Sequence, residues 1–301
     1  MKKVSAIIVN YNAGPVLEEA VQSLLCSSFV TKIIVVDNGS ADNSMKDIEN
    51  LAVAEPRLLC IRNNENMGFA KACNIGIAAA EGSDYLLFFN PDCLADQDAL
   101  EKLLSGIESL PQSGMAGPLL LNDDGTEQAG GRRSIPTPRR SFIRAFGLSM
   151  LSKLCPAIFS DFLLHEQPLP ESPMEMEAIS GSCMLVKREA LLDVGLLDEG
   201  YFLHCEDLDW CMRFRQMGWK IIFVPDARVI HRKGVCSKTR PVFVEWNKHK
   251  GMIRFYNKFF RRQYPGIMFW IIATGIWVRF AAITFFYSAR HIRQWLKHEV
   301  S

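Results

Sequence analysis

Three short polar clusters carry the groups that could do chemistry: Asn10, Tyr11 and Asn12; Asp37, Asn38, Gly39 and Ser40; and Asn90, Pro91 and Asp92. Each follows a run of apolar, largely β-branched or aromatic residues (4–9, 32–36 and 85–89) that reads as a buried strand. Ligands of open α/β sheets bind beyond the carboxyl ends of the strands, so the three clusters should face one crevice. Tyr11 offers an aromatic face for a base, Asp37 can accept a hydrogen bond from a base or ribose donor, and Asp92 can hold a divalent cation between phosphates. Each also suits a simpler role, as a strand-end aromatic, a turn or helix cap in DNGS, or a turn after proline. No glycine-rich dinucleotide fingerprint follows the first strand and no P-loop occurs, which leaves phosphate binding to a metal. The stretch NNENMGFAKACNIGI (63–77) places Asn66 and Gly68 at a helix start, where ordinary helix punctuation also explains them, and Asn74 within the helix.

A second constellation is HCEDLDWCMRFRQMG, 204–218. Wound as a helix, Glu206, Asp209, Arg213 and Gln216 form a polar face directed at solvent, whereas Asp207 aligns with Cys211, Phe214 and Gly218 on the apolar stripe. A carboxylate on that stripe is costly unless paired or functional, which singles out Asp207 over Glu206. Glu206 and Asp209 are accounted for by the positive end of the helix dipole. His231 ends a short apolar run, where a satisfied structural histidine is the simpler reading.

The elements that must position these groups follow an alternating pattern. Strands at 4–9, 32–36, 57–61, 85–89 and 115–121 alternate with helices at 16–25, 44–54, 68–80 and 96–109, predicting an α/β fold with an open, mostly parallel, Rossmann-like sheet. From 122 to 176 the pattern loosens: Arg132, Arg133, Arg139, Arg140 and Arg144 precede an apolar run at 142–164 that reads as a core helix or a second membrane contact. EAISGSCMLVKREALLDVG then predicts a strand or hairpin leading into a helix, followed by a helix at 206–217 and strands near 220–224 and 228–231.

With 301 residues, 49% hydrophobic and 22% charged, the chain can bury one large core, and a net charge of +1 gives no bulk attraction to nucleic acid. Nine scattered cysteines without a CxxC pair suggest reduced thiols in a cytosolic compartment. Asn10 and Asn12 interrupt the first apolar run too early for a signal peptide. Residues 266–287 are apolar except for Arg279 and are flanked by Lys258, Arg261 and Arg262 on one side and Arg290, Arg293 and Lys297 on the other. As a helix this segment spans about 33 Å. Its ten Ile, Phe and Val residues, at roughly −0.3 to −0.6 kcal/mol each, outweigh about +3 kcal/mol for one central Arg, so membrane contact is expected, as a span or in plane.

In order, VNYN, VVDNGS, NMGFAKACNIGI, FFNPDC, SGSCMLVKREAL and YFLHCEDLDWCMRFRQMGWKIIFVPDARVIH resemble the family-two inverting glycosyltransferases over about 1–235. The resemblance implies a GT-A fold, a nucleoside-diphosphate sugar donor and Mg²⁺ or Mn²⁺. By similarity, Tyr11 and Asp37 bind the base, with Asn12, Asn38, Asn66, Gly68, Asn74 and Asn90 also on the donor side. Asp92 coordinates the metal at the diphosphate, and His231 is a further metal or diphosphate contact. Asp207, second acid of the ED pair, is the base; Glu206, Gly181 and Ser182 are acceptor-side or secondary contacts. The family's metal motif is usually Asp-x-Asp, and Asn90 replaces its first acid, so metal binding would rest on Asp92 and His231. The chain would divide into a nucleotide-sugar-binding half (1–121), an acceptor-side insertion (122–176), an acceptor and catalytic-base half (177–257) and a membrane-associating tail (258–301). The NPD form, GGRRSIPTP and the apolar tail look most like the bacterial rhamnosyltransferases of cell-surface polysaccharide. That branch implies dTDP-rhamnose as donor, a lipid-linked saccharide as acceptor, and the cytoplasmic face of the inner membrane as location. Other donors left open are galactofuranose, glucose and N-acetylglucosamine. Two other classes are disfavoured. A nucleotidyltransferase needs basic residues after its first strand, where Asn10 to Val30 has none, and a non-catalytic sugar-nucleotide scaffold has no use for a base.

Overall fold

Seven residues from Val4 to Asn10 (β1) are buried along their whole length, as a strand covered on both faces must be. This computed structural model describes residues 2–153, 155, 159, 161–232 and 240–299. Around β1 the expected alternation holds, with helix α1 (Val16–Leu25), strand β2 (Val30–Asp37), α2 (Ser44–Ala54), β3 (Leu58–Arg62), α3 (Phe69–Ala79), β4 (Tyr85–Phe89), the short β5 (Cys93–Ala95), α4 (Ala99–Ser109) and β6 (Ser113–Leu121). After β7 (Arg132–Arg133) and α5 (Pro138–Ala145) come β8 (Met174–Met176), β9 (Ala178–Ile179), β10 (Cys183–Lys187), α6 (Arg188–Val194), α7 (Glu206–Gln216), β11 (Lys220–His231), α8 (Pro241–Phe259) and α9 (Gly266–Glu299). Residues 154, 156–158 and 160 of the apolar run 142–164 lie outside the described residues.

The main sheet has nine strands in the order β3-β2-β1-β4-β10-β6-β11-β5, with β8 beside β11. It is mixed rather than mostly parallel. β1 runs parallel to β2 and β4, but β10 inserts antiparallel to both β4 and β6. The cause lies at its start: Asn90 N–H donates to Ser182 C=O at 2.8 Å, so the chain enters β10 at the carboxyl end of β4 and can only run back down. The two segments expected near 220–224 and 228–231 form one strand, β11, whose pairing with β6 shifts register between Val224 and Arg228. Pro225, with no N–H to donate, sits in that irregularity.

Helices α1, α2 and α4 cover one face of the sheet; α3, α6, α7 and α8 cover the other, where Ile276 of α9 joins the same core. Helix α8 was not legible in the sequence, and it changes the environment of α7. The face expected in solvent is covered: Asp209 is fully buried, with Arg213 Nε at 2.7 Å and Lys258 Nζ of α8 at 2.6 Å. No disulfide joins the eight cysteines among the described residues, and Cys236 lies outside them.

Helix α9 is long and apolar enough over Gly266–Ser288 to cross a bilayer, and little of that stretch is buried. Ala273 and Ile276 face the protein, while Ile267, Trp270, Ile271, Val278 and Phe285 are exposed. Its one interior charge is shared, since Arg279 Nη1 lies 3.0 Å from His249 Nε2 on α8.

Candidate active site

The carboxyl ends of β1, β2 and β4 lie side by side, and Asn10 organises the first two. Its Nδ2 lies within hydrogen-bond distance of Asp37 Oδ1 (2.9 Å), Ser44 Oγ (2.9 Å) and Ser40 Oγ (3.1 Å), while its Oδ1 accepts from Ala13 N–H at 3.3 Å. Asp37 also accepts from the Ser40 N–H, so the carboxylate is held at the strand end by a buried amide and a backbone donor. Asn12, at φ 53°, accepts from Ala41 N–H at 2.7 Å, and Tyr11 beside it is partly exposed. Asn38 reaches the Gly68 C=O (3.1 Å) and Asn66 Oδ1 (3.2 Å). Gly68 is a position only glycine fits: φ is 87°, and a Cβ would come within 2.7 Å of the Phe202 carbonyl oxygen. That close approach brings the segment preceding α7 onto the start of α3.

Asn74 has a different job from the donor contact expected of it. Its Nδ2 donates to Leu197 C=O and Glu199 Oε1, both at 3.0 Å, and its Oδ1 accepts from Leu197 N–H at 3.1 Å. Buried and committed on both sides, it ties α3 to the loop before α7.

Asp92 and His231 meet because β5 pairs antiparallel with β11, placing Cys93 opposite His231. Asp92 Oδ1 is 3.2 Å from His231 Nε2, and with Cys93 Sγ these potential ligand atoms lie within 4.8 Å of one another. Cys93 Sγ is also 3.5 Å from the Ser182 C=O. A carboxylate and an imidazole converging at one point suit a divalent cation whose remaining positions are taken by phosphate oxygens and water.

Consecutive residues join this end of the crevice to the ED helix. Ser182 C=O accepts from Asn90 N–H, and Gly181 N–H donates to Asp207 Oδ2 at 3.0 Å. A Cβ on Gly181 would lie 3.1 Å from Asp207 Cβ. Asp207 Oδ2 also forms a close ion pair with Arg133 on β7, while Oδ1 accepts from Leu208 N–H at 2.8 Å. Neighbouring His204 and Cys205 both hold positive φ, 69° and 72°, a strained entry that sets the direction in which α7 departs. Sequence reasoning saw Arg133 only as one of a basic run, placed Ser40 in a strand-end cluster without a partner, and did not single out Gln128 or Ser44; no spacing in the sequence connects them to Asp207, His231 or Asn10.

Glu206 is the clearest correction. Expected on a solvent-facing surface, it is 6% exposed, and its Oε2 has no hydrogen-bond partner among the described residues. Burial first, and the charge of Asp207 second, push its carboxyl up to about 8. A raised folded pKa means that between about 4.5 and about 8 the folded state keeps a proton the unfolded chain has released. Stability from this group is fully present below the lower value and falls as pH rises through that window, by up to about 1.4 kcal/mol per pH unit. Glu206→Gln is therefore expected to flatten the fall of Tm between pH 5 and 8 and to raise Tm at pH 8. An unchanged Tm-versus-pH slope would show that Glu206 is ionised in the folded protein.

A sequence model of glycosyl transferase family 2 matches residues 5–194, and a second, for a glycosyltransferase-like family 2, matches 173–248. This chain belongs to glycosyl transferase family 2. It is 30% identical, over 75% of each chain, to N-acetylglucosaminyl-diphospho-decaprenol L-rhamnosyltransferase of Mycobacterium tuberculosis. It is 27% identical to rhamnosyltransferase WbbL of Escherichia coli, over 66% of this chain and 82% of that one. Among solved structures, GalNAc-T7 with UDP, GalNAc and Mn²⁺ superposes with a TM-score of 0.62 at 19% identity, covering 85% of this chain and 48% of that one. A mannosyltransferase of Pyrobaculum calidifontis in complex with GDP-Man and Mn²⁺ gives 0.58 at 16% identity, covering 86% of this chain and 64% of that one. These superpositions show the GT-A fold. The protein is thus a glycosyltransferase similar to rhamnosyltransferases, and the six motifs that suggested the family fall on the strand ends and helix starts lining its crevice.

Proposed function

We propose that this family-two protein transfers L-rhamnose, with inversion, from dTDP-rhamnose to a lipid-linked saccharide at the cytoplasmic face of the membrane. The observation that carries the proposal is the continuity of residues 180–182, which join the Asp92 turn to the Asp207 carboxylate. In this reading Asp37 and Tyr11 receive the base, Asn38 and Asn66 border the donor, and Asp92 with His231 would hold Mg²⁺ or Mn²⁺ at the diphosphate. The cation, when bound, supplies Lewis-acid stabilisation to the departing diphosphate. Asp207 takes the proton of the acceptor hydroxyl as that oxygen bonds to the anomeric carbon and the bond to the diphosphate breaks on the opposite face. Among the described residues, Oδ1 of Asp207 accepts from one donor and Oδ2 from two, so Oδ1 keeps a lone pair for that proton. The four-part division 1–121, 122–176, 177–257 and 258–301 belongs to this reading, with the exposed apolar face of α9 seated in lipid and Arg261 and Arg262 beside its headgroups.

The test is a panel of radiolabelled nucleotide sugars incubated with full-length protein and vesicles of bacterial polyisoprenyl-lipid extract. Label from dTDP-rhamnose is expected in the organic phase at least ~10-fold above label from UDP-galactofuranose, UDP-glucose or UDP-N-acetylglucosamine, a modest discrimination for a site contacting several sugar hydroxyls. Preferential incorporation of another sugar overturns the rhamnose assignment, and incorporation only into soluble saccharide overturns the lipid acceptor.

A further inference from the structure

Gln128 lies in the turn-rich stretch after β6, is 5% exposed, and faces His231 from behind. Gln128 Oε1 or Nε2 could in principle meet the imidazole, and the surrounding bonds decide between them. The chain of contacts starts at Asp124, whose ionised carboxylate can only accept. Thr126 Oγ1 donates to Asp124 Oδ1 at 2.6 Å, so the hydroxyl proton is committed there. Thr126 Oγ1 must then accept from Asn122 Nδ2 at 3.0 Å, which turns Asn122 Oδ1 towards Gln128. Gln128 Nε2 donates to that oxygen at 3.1 Å and to the His231 backbone C=O at 3.0 Å, and neither of these groups can donate. Only Oε1 of Gln128 remains for His231 Nδ1, 2.6 Å away. An amide oxygen accepts, so Nδ1 carries the proton.

In the neutral form of the ring the lone pair then lies on Nε2, the nitrogen 3.2 Å from Asp92 Oδ1. Two acceptors at that separation repel unless a proton or a metal cation lies between or beside them, and a divalent cation takes the place of that proton. We infer that Gln128, oriented by Asn122, Thr126 and Asp124, is a positioning residue that fixes His231 as the Nδ1–H tautomer and thereby presents Nε2 to a divalent cation shared with Asp92. The inference rests on the metal reading proposed above. It adds that the exposed turn 122–126 determines the ligand state of a histidine 105 positions away in the sequence from Thr126. Hydrogen bonds to the non-ligating nitrogen of a histidine ligand typically change metal affinity 10- to 100-fold when lost.

The experiment uses the full-length protein and Mn²⁺ as probe, read by electron paramagnetic resonance of free Mn²⁺. A ¹⁵N spectrum of the His231 ring, in metal-free protein at a pH where the ring is neutral, gives the tautomer independently. Gln128→Met keeps the volume and removes the acceptor; Gln128→Glu keeps an acceptor oxygen. The expected results are an Nδ1–H signature in the wild type, Mn²⁺ affinity ~10- to 100-fold weaker in the Met variant, and affinity within ~5-fold of wild type in the Glu variant. A purely packing role for Gln128 would lower Tm in both variants and leave tautomer and affinity untouched. Wild-type affinity in a folded Met variant, or an Nε2–H signature in the wild type, overturns the inference. A wild-type chain that shows the Nδ1–H signature and binds no Mn²⁺ overturns the metal reading of the site and leaves the tautomer assignment standing.

Discussion

Asp207→Asn is expected to lower turnover at least ~10²-fold with nucleotide-sugar affinity little changed, because general-base catalysis contributes ~10²–10⁴-fold and an amide cannot take a proton. The donor-side groups sit at the ends of β1 and β2, whereas Asp207 is held by Gly181 and Arg133 at the mouth of α7. The loss should therefore appear in kcat and not in the donor's binding constant. The Arg133 pair adds a condition. Asp207 Oδ2 already accepts from two groups, so Asp207→Asn must give up one of them, and a modest fall in Tm should accompany the kinetic loss. Turnover near wild type in a folded Asp207→Asn variant would remove Asp207 from the role of base. Glu206 would then be the remaining acid of the pair, but it is buried and held protonated to about pH 8, poorly suited to accept a proton at neutral pH.

Removal of divalent metal, or Asp92→Ala, is the second large effect expected. The sequence offers no glycine-rich phosphate cradle, and between Asn10 and Val30 no Lys or Arg is present to neutralise a diphosphate. The converging Asp92 and His231 side chains are the groups at hand. Lewis-acid stabilisation of a leaving diphosphate is worth several kcal/mol, and ~4 kcal/mol corresponds to ~10³-fold in rate. Excess chelator should accordingly abolish turnover, Mn²⁺ or Mg²⁺ should restore it, and Asp92→Ala should reduce it at least ~10³-fold. Unlike Asp207→Asn, the Asp92 change should also weaken donor binding, since the cation would bridge protein and diphosphate in the ground state. Full turnover in excess chelator would leave Asp92 as a direct contact to the donor sugar and would fit the replacement of the usual first acid by Asn90.

The residue pattern alone determined the alternation of strands and helices through β6, because buried parallel strands and amphipathic crossover helices have distinct periods that need no tertiary information to read. It also determined that Asn10, Asp37 and Asn90 would lie at strand ends, since a polar break in an apolar run ends a buried strand. The family was legible from six ordered motifs, and the apolar length of 266–287 from composition. What the sequence could not carry was anything set by a partner distant along the chain. The polar face of α7 reads as solvated by helical spacing, but Asp209 is buried against Lys258 of α8, and Glu206 is buried as well. The direction of β10 depends on where Ser182 docks against Asn90, so the mixed character of the sheet has no local signature. Asn74 looks like a ligand contact by residue type, yet its amide is consumed by a loop more than a hundred residues away. Arg133 and Gln128 lie in a stretch without periodicity, and only the folded chain brings them to Asp207 and His231. Local sequence fixes backbone periods, whereas the state of a carboxylate or an imidazole depends on desolvation and on which donors and acceptors surround it, and those are supplied by tertiary contacts.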